Sequence, residues 1–236
     1  MVPESEEERM TTDKLTRVAG MCAVVAGAIF IGVQIGHPTL NVESITTTEV
    51  VVRSSLKILF CMLAVAGITG MYVSQVRRNG TLGLIGYVVL SVGYLMIMAS
   101  TYASAYVLPS IADTDPSFVK DFIAVAEGDT AAGDLGALGT MIQLQGFAFL
   151  AGGLLLGIAL FRAKVLSRWA TVLLAVGGLA SVVLSMMPDA FYRLLAFPNG
   201  IALIGLGYSL WRHEHLVIPE ATPSVRATPE PTPAGV

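Results

Sequence analysis

The chain has 236 residues, of which 54% are hydrophobic and only 13% are charged. A water-soluble surface cannot be built from that composition, so the chain is predicted to be an integral membrane protein. Its net charge of −3 argues against a nucleic-acid partner and against a polybasic lipid-binding surface. The expected partner is the lipid bilayer.

The charged residues are segregated, and the long intervals without Asp, Glu, Lys or Arg mark the predicted spans. Six intervals of 18 to 34 residues occur, at 18–42, 58–76, 79–112, 135–161, 169–188 and 194–211. A helix needs about 20 apolar residues to cross a hydrocarbon layer of roughly 30 Å, and it satisfies its own backbone there. The predicted fold is all-α and polytopic, with six transmembrane helices at about 17–37, 56–77, 81–107, 135–161, 168–188 and 191–212.

Two tails are predicted to flank this transmembrane domain of residues 15–214. The acidic segment 1–14 and the Pro/Thr-rich segment 215–236 contain too few apolar residues to pack, so both are expected to be disordered.

The basic residues predict the orientation, because Lys and Arg beside the spans are retained in the cytoplasm. With both termini inside, the inner side holds ten of them: Arg9, Lys14, Arg17, Arg77, Arg78, Arg162, Lys164, Arg168, Arg212 and Arg226. The outer side holds four: Arg53, Lys57, Lys120 and Arg193. The predicted location is the plasma membrane, with cytoplasmic N- and C-termini.

The outer loop between the third and fourth spans has room for a short amphipathic helix. Asp115 followed by Pro116 is a helix-start signature, and Gly128 can end the helix. Its apolar face is formed by Phe118, Phe122, Ile123 and Ala126. We expect a connector that lies on the outer membrane surface, with a lid over a cavity as the alternative.

No cofactor or metal is predicted, and no catalytic motif stands out. His37 belongs to the outer end of the first span, whereas His213 and His215 follow the inner end of the sixth, roughly 30 Å away, so no bis-histidine haem site forms within one chain. None of the six intervals contains a carboxylate, which disfavours proton-coupled transport.

A set of polar residues in the outer half of the predicted membrane forms the candidate site. It is a pocket for an anionic or polar ligand lined by Gln34, His37, Arg53, Lys57, Gln143, Arg193 and Asn199. Gln143 and Gln145 are about 200° apart on a helix, so only one faces the pocket, and Gln143 is nearer the surface. The alternative is that Arg53 and Lys57 reach the outer interface and pair with the acidic loop 113–134.

Several segments carry a resemblance to a known group of proteins. In four segments the chain resembles actinobacterial-type polytopic membrane proteins of unknown function. They are the segment 152–177, with Phe161-Arg162-Ala163-Lys164 and Arg168-Trp169, and the shorter segments 78–87, 106–109 and 197–200. Ser167 stands where these relatives usually have proline. The resemblance implies a six-helix fold and a bacterial plasma membrane, and it implies no activity.

Small residues recur at four-residue spacing, which lets helices approach closely. The pairs are Gly32 and Gly36, Ala66 and Gly70, Gly153 and Gly157, and Gly177 and Ser181. They serve internal packing or a homo-oligomer.

The leading functional hypothesis is a non-enzymatic accessory, sensor or interaction protein, whose expected partner besides the bilayer is another membrane protein or a second copy of the chain. The alternatives are a small-solute binding or transport protein that uses the outward-facing pocket, and a lipid-modifying membrane enzyme.

Overall fold

The computed structural model describes the backbone of residues 6–184 and 196–213, and the side chains of residues 13–177 and 197–212. Every regular element within these ranges is helical. The helices are α1 (Glu6–Gly32), α2 (Thr48–Val73), α3 (Val76–Tyr102), α4 (Leu108–Ile111), α5 (Pro116–Glu127), α6 (Ala137–Ala163), α7 (Arg168–Leu184) and α8 (Ala196–His213). A 3₁₀ turn, Ser44–Thr46, precedes α2, and a π-helical turn, Ala103–Val107, joins α3 to α4.

The six long helices pack in a closed ring in the order α1, α2, α3, α6, α7, α8, with α8 returning to α1. Each of them contributes to one apolar core. Its largest fully buried side chains include Ile68 from α2, Tyr94 from α3, Leu156 from α6, Leu174 from α7 and Leu203 from α8. The centre of the ring is therefore filled by side chains.

Apolar side chains also cover the outside of the ring. On α1 the exposed residues Val18, Met21 and Val25 follow helical spacing, and on α6 Phe147 is 71% exposed. A helix that is apolar on its inner and outer faces is typical of a membrane environment, because lipid replaces water around the bundle.

Four helical segments of the described chain are long and apolar enough to cross a membrane: Asp13–Gly32, Thr48–Val73, Val76–Ile111 and Ala137–Ala163. They correspond to the first four predicted spans. The fifth and sixth predicted spans, 168–188 and 191–212, fall partly outside the described residues, as does the tail 215–236. Within the described part, α7 has 17 residues and α8 has 18.

The ends of the first two predicted spans differ from those observed. Helix α1 stops at Gly32 rather than near 37, because the chain turns over residues 33–36 and Gly36 adopts a left-handed φ of 63°. Helix α2 begins at Thr48 rather than near 56, so Arg53 lies on the helix together with Lys57, which the predicted span already included. Helix α1 also extends back to Glu6, into the segment predicted as a disordered tail.

The third predicted span begins where expected and ends later. Gly80 interrupts α3 with φ 57° and ψ −163°, so the continuous helix starts at Thr81. It continues through the π-helical turn to Ile111, past the predicted end near Val107. Pro109 follows two residues after the π-helical turn and lies within this last helical segment.

Helix α5 confirms the predicted start and end, with the Asp115 carboxylate accepting from the Phe118 N–H and Gly128 in the left-handed conformation. Its apolar face is covered by protein, which corrects the prediction that it rests on the membrane. The buried residues beneath and along it form a second core: Ile45, Val50, Leu108, Ala112, Val119, Phe122, Ile123 and Ile142. Helix α5 thus caps one end of the ring.

Two pairs of glycines bring the backbones of α1 and α8 together. A Cβ atom on Gly20 would lie 2.8 Å from the Gly207 carbonyl oxygen, and one on Gly200 would lie 2.9 Å from the Gly27 carbonyl oxygen. The predicted small-residue pairs contribute unequally. Gly70 and Gly157 face alanines of neighbouring helices, whereas Ala66 is exposed and no atom lies within 4 Å of a Cβ on Gly32.

Candidate functional site

Arg53 lies on the second turn of α2 and reaches the end of α1. Its Nη1 donates to the carbonyl oxygens of Val33 at 3.1 Å and Ile35 at 3.0 Å, and its Nε donates to Glu49 Oε1 at 2.9 Å. Carbonyls at a helix C-terminus have no intrahelical partner, and the helix dipole makes that end negative. Arg53 therefore closes the C-terminal end of α1 and pairs with Glu49 of its own helix, instead of with the acidic loop.

Lys57 lies one turn further along α2 and contacts His37. The two nitrogens, Lys57 Nζ and His37 Nε2, are 3.1 Å apart, and His37 Nδ1 lies 2.7 Å from the carbonyl oxygen of Pro38. A carbonyl oxygen only accepts, so Nδ1 carries the proton. In the neutral ring Nε2 is then an acceptor for the Lys57 ammonium group, and a doubly protonated ring would place two donors against each other.

A groove opens between α1 and α2 beside Arg53. It has a volume of about 450 Å³ and is lined by Ile29, Gly32, Val33, Thr48, Glu49, Val52, Arg53 and Leu56. The wall is mostly apolar, with the Arg53 and Glu49 pair as its polar part. The missing side chain of Gly32 leaves this space open.

The other predicted pocket residues lie apart from Arg53 and Lys57. Gln143 is exposed on α6, a helix that packs against α3, α5 and α7. Asn199 is buried on α8, where its Oδ1 would lie 2.7 Å from a Cβ on Gly177 of α7. Gln34 is half-buried in the turn after α1. Arg193 lies outside the described residues.

The six described members of the predicted pocket therefore divide into three places. Arg53, Lys57, His37 and Gln34 belong to the junction of α1 and α2, Asn199 belongs to the interface of α7 and α8, and Gln143 faces outward. Its neighbour Gln145 faces inward, and its Oε1 accepts from Ser100 Oγ of α3 at 2.9 Å. Gln145 thus joins two helices.

Two buried polar residues at the opposite end of α2 were missed by the sequence analysis. Gln75 is 3% exposed and Asn79 is 5% exposed, and their side-chain oxygens have no hydrogen-bond partner among the described residues. The available signal was the Asn79-Gly80 pair, which is typical of a turn, next to two consecutive arginines. Gln75 lines a second pocket, which has a volume of about 390 Å³, and Asn79 follows one helical turn later in the chain.

Comparison with protein-family models, with curated proteins and with solved structures gave no match for this chain. The resemblance to actinobacterial-type membrane proteins stays a prediction.

Proposed function

We propose that this chain is a six-span protein of the bacterial plasma membrane, with both termini in the cytoplasm, that acts as a non-enzymatic accessory or interaction protein. The ring of six helices supports the six-span count, since α7 and α8 occupy positions equivalent to those of the four longer helices. The distribution of basic residues, ten against four, supports the orientation.

The observation that carries the proposal is the filled centre of the ring. Tyr94 is 1% exposed and Leu203 is 0% exposed, and Phe60 packs edge-on against Tyr94 with ring centroids 5.6 Å apart. Conduction of a solute needs a water-accessible path lined by polar groups. A densely packed apolar centre suits a protein that works through its outer surface.

The polar residues at the end of α1 and α2 support the same proposal. Arg53 is engaged by two carbonyls and a carboxylate, and Lys57 contacts His37. These contacts give the two basic side chains a structural role on the side of the membrane that the positive-inside rule disfavours.

Photo-crosslinking in cells tests the interaction function. A photoreactive amino acid is placed at one exposed apolar position per helix, namely Met21, Met62, Val88, Phe147, Val176 and Ile201, with buried Leu90 as the matched control. We expect a discrete protein adduct, of this chain or of another membrane protein, at neighbouring positions of the ring and none at Leu90. Adducts with lipid alone at all six positions would contradict the proposal.

A second function, binding of a small amphiphilic solute, is favoured by the groove between α1 and α2. Its apolar wall and its Arg53 and Glu49 pair would suit a ligand with one polar end. In proteoliposomes, saturable solute binding that is lost in Arg53→Ala, and is retained in Arg17→Ala at the other end of the bundle, would favour this function over the first.

A further inference from the structure

A polar pocket lies at the turn between α2 and α3, on the end of the ring away from α5. It has a volume of about 390 Å³ and is formed by residues 73–78 together with Val165 from the connection between α6 and α7. Gln75 lines it and is 3% exposed. The pocket thus joins two connections that are distant in the sequence.

The amide of Gln75, a residue that lines this pocket, has an acceptor without a partner among the described residues. Its Nε2 donates to the Met71 carbonyl oxygen at 3.4 Å, and because a carbonyl only accepts, this contact fixes which end of the amide is the nitrogen. Gln75 Oε1 is buried and has no hydrogen-bond partner within the described chain. Asn79, one turn later, repeats the pattern, since its Nδ2 donates to the Tyr72 carbonyl oxygen and its Oδ1 lacks a partner there.

Buried acceptors without partners are costly, and a bound group that donates hydrogen bonds relieves them. A hydroxyl of a ligand headgroup is such a donor.

Two cations border the same pocket. Arg77 and Arg78 line it, both are exposed, and among the described residues neither forms an ion pair with a carboxylate. Guanidinium groups bind phosphate through paired N–H donors. Val73 and Val76 beside them are 57% and 48% exposed, so the pocket combines an apolar edge with a cationic rim.

We propose that this pocket binds the headgroup of an anionic phospholipid, with the phosphate on Arg77 and Arg78 and a headgroup hydroxyl donating to Gln75 Oε1. The apolar edge favours a lipid over free phosphate, because acyl chains can continue along Val73 and Val76. One local binding site with two arginines is compatible with a net charge of −3, which argues only against an extended polybasic surface. The inference rests on the proposed membrane embedding, which places this end of the ring at headgroup level.

Lipid binding to the purified full chain in detergent tests the proposal. The probes are phosphatidylglycerol, phosphatidylcholine and inorganic phosphate, and the readout is the dissociation constant together with the melting temperature. We expect phosphatidylglycerol to bind and stabilise the protein more than phosphatidylcholine does. Arg77→Gln with Arg78→Gln should weaken its binding roughly 30-fold, since each basic side chain near an anionic headgroup contributes a factor of about five.

The matched control is Arg162→Gln with Arg212→Gln, which removes two exposed cations outside the pocket and should leave binding unchanged. Gln75→Leu should raise the melting temperature without lipid, because it removes the unpaired oxygen, and should reduce the preference for phosphatidylglycerol.

Three outcomes would overturn the inference: equal binding of the two lipids, equal loss in the control variant, or full stabilisation by inorganic phosphate, which would identify a free anion as the ligand. Lipid binding to the purified chain in detergent micelles does not depend on how many times the chain crosses the membrane. A failure here, with the membrane topology upheld by labelling in cells, would therefore remove this inference alone.

Discussion

At the scale of single residues, the sequence predicts that Arg53 needs a partner but does not predict which partner it has. The positive-inside rule singles out Arg53 as a residue that needs a reason for its position. Its actual partners are backbone carbonyls of residues 33 and 35, which become available only because α1 ends at Gly32. The sequence predicts a first span that continues to about 37, and it does not show the turn over residues 33–36 that presents these carbonyls to Arg53.

Arg53→Ala is expected to lower the free energy of unfolding by about 2 kcal/mol, because the carbonyls at the end of α1 lose a charged donor. Glu49→Gln removes only the half-exposed ion pair and should cost less than about 1 kcal/mol. Denaturant titration of the two variants in detergent measures the difference. Equal losses would mean that the ion pair, and not the helix end, is what Arg53 stabilises.

At the scale of elements, α5 was predictable in its limits because Asp115, Pro116 and Gly128 act through local backbone chemistry. What covers its apolar face was not predictable, because a periodic pattern looks the same against lipid and against protein. Ile45 and Ile142, which belong to the same core as the buried face of α5, come from the turn before α2 and from α6.

The start of α5 should depend on pH. The Ser117 hydroxyl and the Phe118 N–H hold the pKa of Asp115 below its ordinary value of 3.8. A lowered pKa means that the stabilisation is complete above the ordinary value and is lost as the pH falls through the folded value. Amide exchange of the first turn, relative to unstructured peptide at the same pH, should accelerate in that range.

Asp115→Asn is the matched control, since asparagine caps helices without titrating. It should keep the first turn of α5 protected at every pH, whereas Asp115→Ala should leave it unprotected even at neutral pH. Identical pH profiles for the wild-type chain and Asp115→Asn would refute the role of this carboxylate.

The contact of α1 with α8 should be intolerant of added side chains. A Cβ on Gly207 would lie 2.5 Å from the Gly20 carbonyl oxygen, so Gly207→Ala must separate the helices and should cost roughly 1–3 kcal/mol. Gly146→Ala is the control, because nothing lies within 4 Å of its Cβ and alanine favours helices. It should be neutral or stabilising. A neutral Gly207→Ala would show that the two helices pack less closely.

At the scale of the whole molecule, the charge-free intervals predict where apolar helices lie, and four helices of the described chain satisfy the length and composition of a span. The order of the helices in the ring and the separation of the polar residues depend on tertiary packing, which the charge-free intervals do not predict. Gln143 and Lys57 are both predicted to lie in the outer half of the membrane, yet they belong to helices that are not adjacent in the ring.

The most direct test of the six-span ring is labelling of single cysteines in intact cells, in a chain whose Cys22 and Cys61 have been replaced. The positions are Ser117 on α5, Lys164 after α6, and Asp189 between the fifth and sixth predicted spans. We predict that an impermeant maleimide labels 117 and 189 in intact cells, and labels 164 only after permeabilisation. Labelling of 117 with 189 protected until permeabilisation would contradict the six-span account and indicate four spans, and labelling of 164 from outside would reverse the orientation.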